Sequence, residues 1–500
     1  MLHRKTEILN IERESVIVTA KPKLVQGLLD LIEEESDRHE FSTLCKRIES
    51  TIRAWYNLQF EDLMQLYSLF DPMHGPKRLE QLKLSVEEVD KLEQRFLQIL
   101  FQLMSKSNFK ILTDDEVEVA TSGEYLLNMP IAVDKSKLDK KLFTTFFSKG
   151  HFAEVPSFAT QYVIFRRGIG IDRTTDYFIM SKLDLLISRT WNWLLQKLRL
   201  QKLPEEHHHV VSKTLSRKLS IVESDFGVQP EDTHQKTRDE NLHIERIRIQ
   251  NMDISFKNLF HENTVQEPTF DRIILVYRKA SKPHPINSPL GDRAIYVKHF
   301  RNIPMADMEL VLPEKKNPGL TPMDWVKLLI SAVVGLVALV GSLEVGNADV
   351  WVALAILGGI IGYIAKIYFT FQANLAQYQN LITKSMYDKQ LDSGRGTLLH
   401  LCDDVIQQEV KEVILAYFIL MTQGKATEED LDRRCEQLLA TKFNEKCDFE
   451  VDDAISKLEK LEIVSKDSEG MYTDESLTHA NDIIGVTTDE LVEKTFVKSK

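Results

Sequence analysis

Apolar residues recur along this chain in three patterns, and the changes between them divide it. In SVEEVDKLEQRFLQILFQL the series Val89, Leu92, Phe96, Ile99 and Leu103 advances by alternating steps of three and four, one face of a helix. Ser85 and Glu88 form a capping box at its start. Residues 1–110 read as a helical region, and the stripe fits packing within its own domain better than a coiled-coil seam. From Ile111 the segments shorten. QYVIFRR, DYFIM, HIERIRI, FDRIILVYR and RAIYVKHF are rich in β-branched and aromatic residues and bounded by turns, as strands are. A helical stretch from Arg189 to Leu200, a loop-like segment from Pro204 to Glu240 and the proline-rich SKPHPINSPLGD lie between them. These predict an α+β domain over 111–312, followed by a linker at 313–324.

The third pattern is a pair of apolar runs. VKLLISAVVGLVALVGSL is uncharged from Leu328 to Leu343, and VWVALAILGGIIGYIAKIYFTF meets its first charge at Lys366. About 18 such residues supply the ~30 Å of a bilayer core. The expectation is a two-helix transmembrane hairpin at 325–371. The competing reading, two helices buried in a large soluble protein, is disfavoured because core helices of that length carry a polar stripe. A helical extension with Leu375, Tyr378, Leu381, Tyr387 and Leu391 runs to the break at SGRG, spanning 372–396. Residues 397–480 then offer a helix from Leu398 to Met421, a second begun by a Thr427 cap, a third in FEVDDAISKLEKLEIV, and a hairpin around KDSEGMYT. That order resembles a winged helix; a tail fills 481–500. The fold class expected is an α+β multidomain membrane protein with a C-terminal winged-helix-like domain.

Charge sharpens this picture. Residues 397–500 hold 12 Lys+Arg against 24 Asp+Glu, a balance equal to the −12 of the whole chain, so the first 396 residues are neutral. The third helix of the acidic segment carries Glu450, Asp452, Asp453, Glu459 and Glu462 against Lys457 and Lys460, which would repel a DNA backbone. No nucleic-acid partner is expected. Lysines flank the hairpin (Lys315, Lys316, Lys327; Lys366, Lys384, Lys389) while its turn holds only Glu344 and Asp349, which places both termini in the cytoplasm. The N-terminus lacks the apolar run of a signal peptide and is too acidic for a transit peptide. Four cysteines without a CxxC pair fit a reducing compartment and suggest neither zinc nor disulfides.

Candidate chemistry is sparse. In FRRGIGIDRTTD, Arg166, Arg167 and Arg173 surround Gly168 and Gly170, which could bring backbone amides and guanidiniums to an anion. The pattern lacks a third glycine and a Walker lysine, so the competing reading is a glycine turn between strands with its arginines paired to Asp172 and Asp176. EEHHH at 205–209 carries ligand types for a metal, but consecutive histidines diverge. Gly358 and Gly362 form a GxxxG, with Gly335 and Gly341 on the other run, as close helix packing within the hairpin requires; self-association into a homo-oligomer is the alternative. No catalytic set, cofactor site or metal site can be assembled.

FRRGIGIDR, KHFRNIPMADMELVLPEKK before the hairpin, and YDKQLDSGRGTLLHLCDDVIQQEVKEVILAYF after it together resemble the domain of unknown function 3754 family, whose eukaryotic member is called transmembrane protein 143. The resemblance extends over most of residues 10–475. It implies a membrane-anchored protein, mitochondrial in eukaryotes, with no established activity; the N-terminus departs from that pattern by lacking a transit peptide, which favours a bacterial cytoplasmic membrane. The functional expectation is a bilayer-anchored, non-enzymatic interaction or scaffold protein that holds a protein partner through residues 397–480. The alternative is an enzyme or sensor taking a phosphorylated or lipid-derived ligand on the Arg166–Arg173 turn.

Overall fold

The computed structural model describes residues 7–11, 13–121, 133–150, 155–179, 242–249, 260–280, 293–314 and 350–492, with isolated positions within 182–190, at 258 and within 330–337. Four helices open the chain: α1 (Lys21–Leu29), α2 (Glu35–Phe70), α3 (Gly75–Leu82) and α4 (Val86–Lys106). Ser85 caps α4 as expected. Its hydroxyl accepts from the Glu88 N–H at 3.3 Å, and its own N–H donates to the Glu88 carboxylate at 2.8 Å. The apolar stripe turns inward: Val89, Phe96 and Leu103 are fully buried, with Leu92 and Ile99 half-buried against the same core.

That core lies between the helices and a five-stranded antiparallel sheet of order β2-β3-β5-β6-β7. Its strands are β2 (Lys110–Ile111), β3 (Tyr162–Asp176), β5 (Asn263–Tyr277), β6 (Tyr296–Pro304) and β7 (Gln390–Ser393). A separate pair joins β1 (Glu7–Ile11) to β4 (Leu242–Arg246). Alternation sorts the two faces. Val163, Phe165, Ile274, Val276 and Val297 face α2 and α4, whereas Ile164, Ile273, Leu275 and Phe300 join a second cluster with Leu112, Met305 and Met308. Short helices α5 (Asp114–Thr121) and α6 (Lys141–Lys149) flank the sheet.

A long helix α7 (Val350–Lys389) leads into β7, and Gly394, at φ +60°, turns the chain from that strand into α8 (Arg395–Gln423). Helix α8 is the spine of the fold. Its first part, Leu398 to Val405, completes the core above the sheet. Its remainder, Ile406 to Leu420, is buried with α1, the first half of α2, α9 (Glu428–Phe443) and α10 (Val451–Lys460). The strand pair β8 (Val464–Lys466) and β9 (Tyr472–Asp474), then α11 (Leu477–Ile484), close this side. Thr427 caps α9, its hydroxyl accepting from the Asp430 N–H at 3.3 Å. Residues near both ends of the chain therefore share one core.

The membrane reading does not survive. Among the described residues no helix is long and apolar enough to cross a membrane. This corrects the fold class and the two-span localisation with both termini in the cytoplasm. The first apolar run, with Gly335 and Gly341, lies outside the described residues apart from isolated positions. The second does not end as a span would. It opens the 40-residue α7, which continues unbroken through Gln372, Asn374, Gln377, Asn380 and Lys384. An uncharged run counted along the sequence gives length alone, and α7 divides between an apolar half with partly described side chains and a polar half. The chain is a mixed α+β protein built on an antiparallel sheet.

Candidate functional site

A helix buried all round is ordinarily apolar all round, yet α8 carries Gln408, Glu409, Lys411 and Glu412 in its buried part. Each needs a partner, because an unpaired charge out of water is costly. Lys457 of α10 supplies the central one: its ammonium pairs with Glu409 and Asp453 and lies 3.9 Å from Glu412. The Tyr56 hydroxyl of α2 donates to Glu409 at 2.8 Å, and Lys106 of α4 donates to Asp453 at 2.8 Å. Gln408 donates to Glu412 at 2.8 Å and to the Ser15 carbonyl at 3.2 Å. Lys411 donates to the carbonyls of Ile17 and Thr19. The seam thus ties α2, α4, α10 and the segment before α1 to the spine.

Burial sets the electrostatics here. It pushes the Glu412 carboxyl up to about 8, against the pull of Lys457, and brings the Lys411 ammonium down to about 8. Tyr56 is raised as well, by burial and then by Glu409.

The glycine–arginine motif lies inside β3 rather than in a turn; Arg166 and Arg167 find carboxylates from distant segments, and Arg173 an amide of β5, instead of Asp172 and Asp176. Arg166 pairs with Glu14 and, through Nε at 2.6 Å, with Glu116. Arg167 donates to Asp404 of α8 at 2.9 Å and to the Ser107 carbonyl at 3.2 Å, with its guanidinium 4.6 Å from the centre of the Phe109 ring. Arg173 donates to the Gln266 side chain at 2.6 Å. Gly168 sits at φ +72°, and a Cβ there would come 2.7 Å from a carboxylate oxygen of Asp271; at Gly170 the corresponding distance is 2.6 Å. The glycines do admit an anion, and it is the protein's own Asp271.

Other candidate residues are scattered. A Cβ on Gly358 or Gly362 of α7 would meet no described atom within 4 Å. EEHHH lies outside the described residues. Among the described residues no group of three or more His, Cys, Asp or Glu could hold a metal ion. All four cysteines are buried, and burial raises their thiols, Cys402 to about 12 and Cys45, Cys435 and Cys447 likewise upward. That removes thiolate chemistry at neutral pH. His299 of β6 is fully buried, and neither ring nitrogen is hydrogen-bonded among the described residues. Burial, with Arg272 and Arg167 nearby, depresses it to about 3, so the imidazole is neutral.

The periodicity argument missed Glu409, Lys411, Glu412 and His299. The signal for the first three was present: QQEVKEV interrupts a helix with no continuous polar face, and charges on such a helix must be buried. His299 gives no comparable sign, because one histidine in a strand is equally compatible with either face.

Residues 270–396, from β5 through the first turn of α8, match the model of a family described as protein of unknown function (DUF3754). The match does not single out the branch of transmembrane protein 143. No curated protein and no solved structure matches the chain.

Proposed function

We propose that this member of the DUF3754 family is a non-enzymatic interaction protein that holds a basic partner surface against residues 397–480. The observation that carries the reading is the division of that segment's acidity. Its buried acidic side chains, Glu409 and Glu412, are met by Lys457, while Glu428 and Glu429 of α9, Asp452 and Glu459 of α10, and Glu462 just beyond it are exposed. Glu428 and Asp452 are crowded together, hydrogen-bonded side chain to side chain, and Asp452 raises the Glu428 carboxyl. A partner's lysines or arginines would relieve that crowding. The two helices are anchored to the spine, so such a surface needs little ordering on binding. Duplex DNA would be repelled from it.

The alternative, an enzyme or sensor using Arg166, Arg167 and Arg173 for a phosphorylated or lipid-derived ligand, draws less support. Glu14, Glu116 and Asp404 already balance the first two of those arginines.

Removing residues 397–480 would delete the spine of both cores, so the test is charge reversal. Zero-length carbodiimide coupling in cell extract joins surface carboxylates to lysines of a bound protein. The wild-type chain should yield a discrete adduct that weakens with salt and disappears in the Glu428→Lys/Asp452→Lys/Glu459→Lys variant. An adduct of equal yield from a variant of unchanged stability would sink the assignment.

A further inference from the structure

Three arginines stand in one row across the sheet. Arg167 of β3 is directly opposite Arg272 of β5, and Arg272 is directly opposite Arg301 of β6. Residues so paired project to the same face, where like charges repel. Asp404 answers only Arg167. Arg272, half-buried, and Arg301, exposed, make no hydrogen bond or ion pair among the described residues. Asp271 is close enough to Arg272 to feel its charge, but its carboxylate lies against Gly168 and Gly170 on the opposite face. Two residues before Arg301, on the same face of β6, comes the fully buried His299, both of whose ring nitrogens are unpartnered among the described residues. Its ring centre is 6.4 Å from that of Phe109, on which Arg167 stacks, and 6.2 Å from that of His400.

We infer that Arg272, Arg301 and His299 form a binding site for a phosphoryl group. Two forked guanidiniums on neighbouring strands and a neutral imidazole N–H offer donors from three directions. A phosphoryl group presents three terminal oxygens to such a set, where a carboxylate presents two. An oxyanion between Arg272 and Arg301 also converts their mutual repulsion into two charge-assisted contacts. Access is from the side of Arg301. Strand β7 pairs with β6 only through Lys298–Phe300 and leaves the position of Arg301 uncovered. All three residues lie within the segment that matches the family, and none belongs to the acidic surface proposed for the partner.

Thermal unfolding of the full-length chain tests the site, with inorganic phosphate and glycerol phosphate as probes. Sodium chloride and sodium acetate at equal ionic strength are the controls. Binding to the folded state raises Tm in proportion to ln(1 + [L]/Kd). Phosphate or glycerol phosphate should raise Tm progressively, and the controls should not. Stabilisation by the ester alone would identify a phosphomonoester; stabilisation by both would identify the phosphate group itself. Arg301→Gln should need at least tenfold more probe for the same rise, and without probe should unfold no earlier than wild type. Arg433→Gln, on the exposed face of α9, should behave as wild type. A rise matched by chloride or acetate, or undiminished in both Arg301→Gln and Arg272→Gln, overturns the inference.

Discussion

Replacing Glu412 by Gln should stabilise this protein at pH 8 and do far less at pH 5. The side chain is only 2% exposed on the spine helix, hydrogen-bonded by Gln408 at 2.8 Å and 3.9 Å from the Lys457 ammonium. Burial outweighs both partners and lifts the carboxyl from 4.5 to about 8. A group whose folded pKa is raised holds its proton more tightly in the folded state. Its contribution to stability is fully present below pH 4.5 and is lost as pH rises through about 8. At about 1.4 kcal/mol per pKa unit the ceiling of that loss is ~5 kcal/mol. Side-chain relaxation and water entry reduce such penalties, so about 2 kcal/mol is the expected gain for the variant at pH 8. Glutamine has no charge to bury and keeps the acceptor that Gln408 uses. Lys411, lowered to about 8, contributes stability that is present above pH 10.5 and lost as pH falls through 8. Its effect is only partly common to both proteins, because the Glu412 charge itself raises Lys411, and losing that attraction trims the gain at pH 8. Urea unfolding of both proteins at pH 5 and pH 8 gives the four free energies. An equal difference at the two pH values, or a variant less stable at pH 8, refutes the reasoning.

Three further outcomes follow from the same geometry. Gly168→Ala forces a side chain into the left-handed region and against Asp271, and should cost about 2 kcal/mol or more; thermal unfolding of Gly168→Ala beside Gly168→Ala/Asp271→Ala should show only partial recovery in the double variant. Arg167→Ala leaves Asp404 and the Ser107 carbonyl without their partner and should cost roughly 3 kcal/mol, and a double-mutant cycle with Asp404→Ala that shows no coupling would contradict the pairing. The four thiols should be inert to a disulfide reagent at pH 8 in the folded protein and react together in urea; fast labelling of any one under native conditions would mean that its burial is wrong.

Local features were the legible part of this fold. The capping box at Ser85, the Thr427 cap, the inward stripe of α4 and the strands in QYVIFRR, HIERIRI, FDRIILVYR and RAIYVKHF follow from neighbouring residues, which sequence displays directly. DYFIM does not form the strand its composition suggests, since β3 ends at Asp176 and Ile179 is already helical. The apolar runs misled because apolarity reports on length and not on the helix that finally contains it. The glycine–arginine motif was legible only in its residue types. Its residue types do suit an anion, but the anions come from Glu14, Glu116, Asp271 and Asp404, at separations no local pattern reveals. Of the phosphoryl site, only the guanidinium chemistry was visible in the chain. The row of Arg167, Arg272 and Arg301 exists only once three strands are in register.

The shared core of the two chain ends also carries a consequence for how this protein is made. Phe41, Leu44, Ile48 and Ile52 of α2 are buried with Ile406 to Leu420 and with Leu431, Leu439 and Leu458. Helices translated first have no finished surface to fold onto until helices translated last have appeared. At ~5–20 residues per second, the roughly 350–420 intervening residues amount to about 20–80 s during which that apolar stripe has only α1 among its native partners. A nascent chain of this design leaves that stripe exposed until residues 406–458 emerge, and products lacking those residues should be proteolysed rather than accumulate as folded fragments.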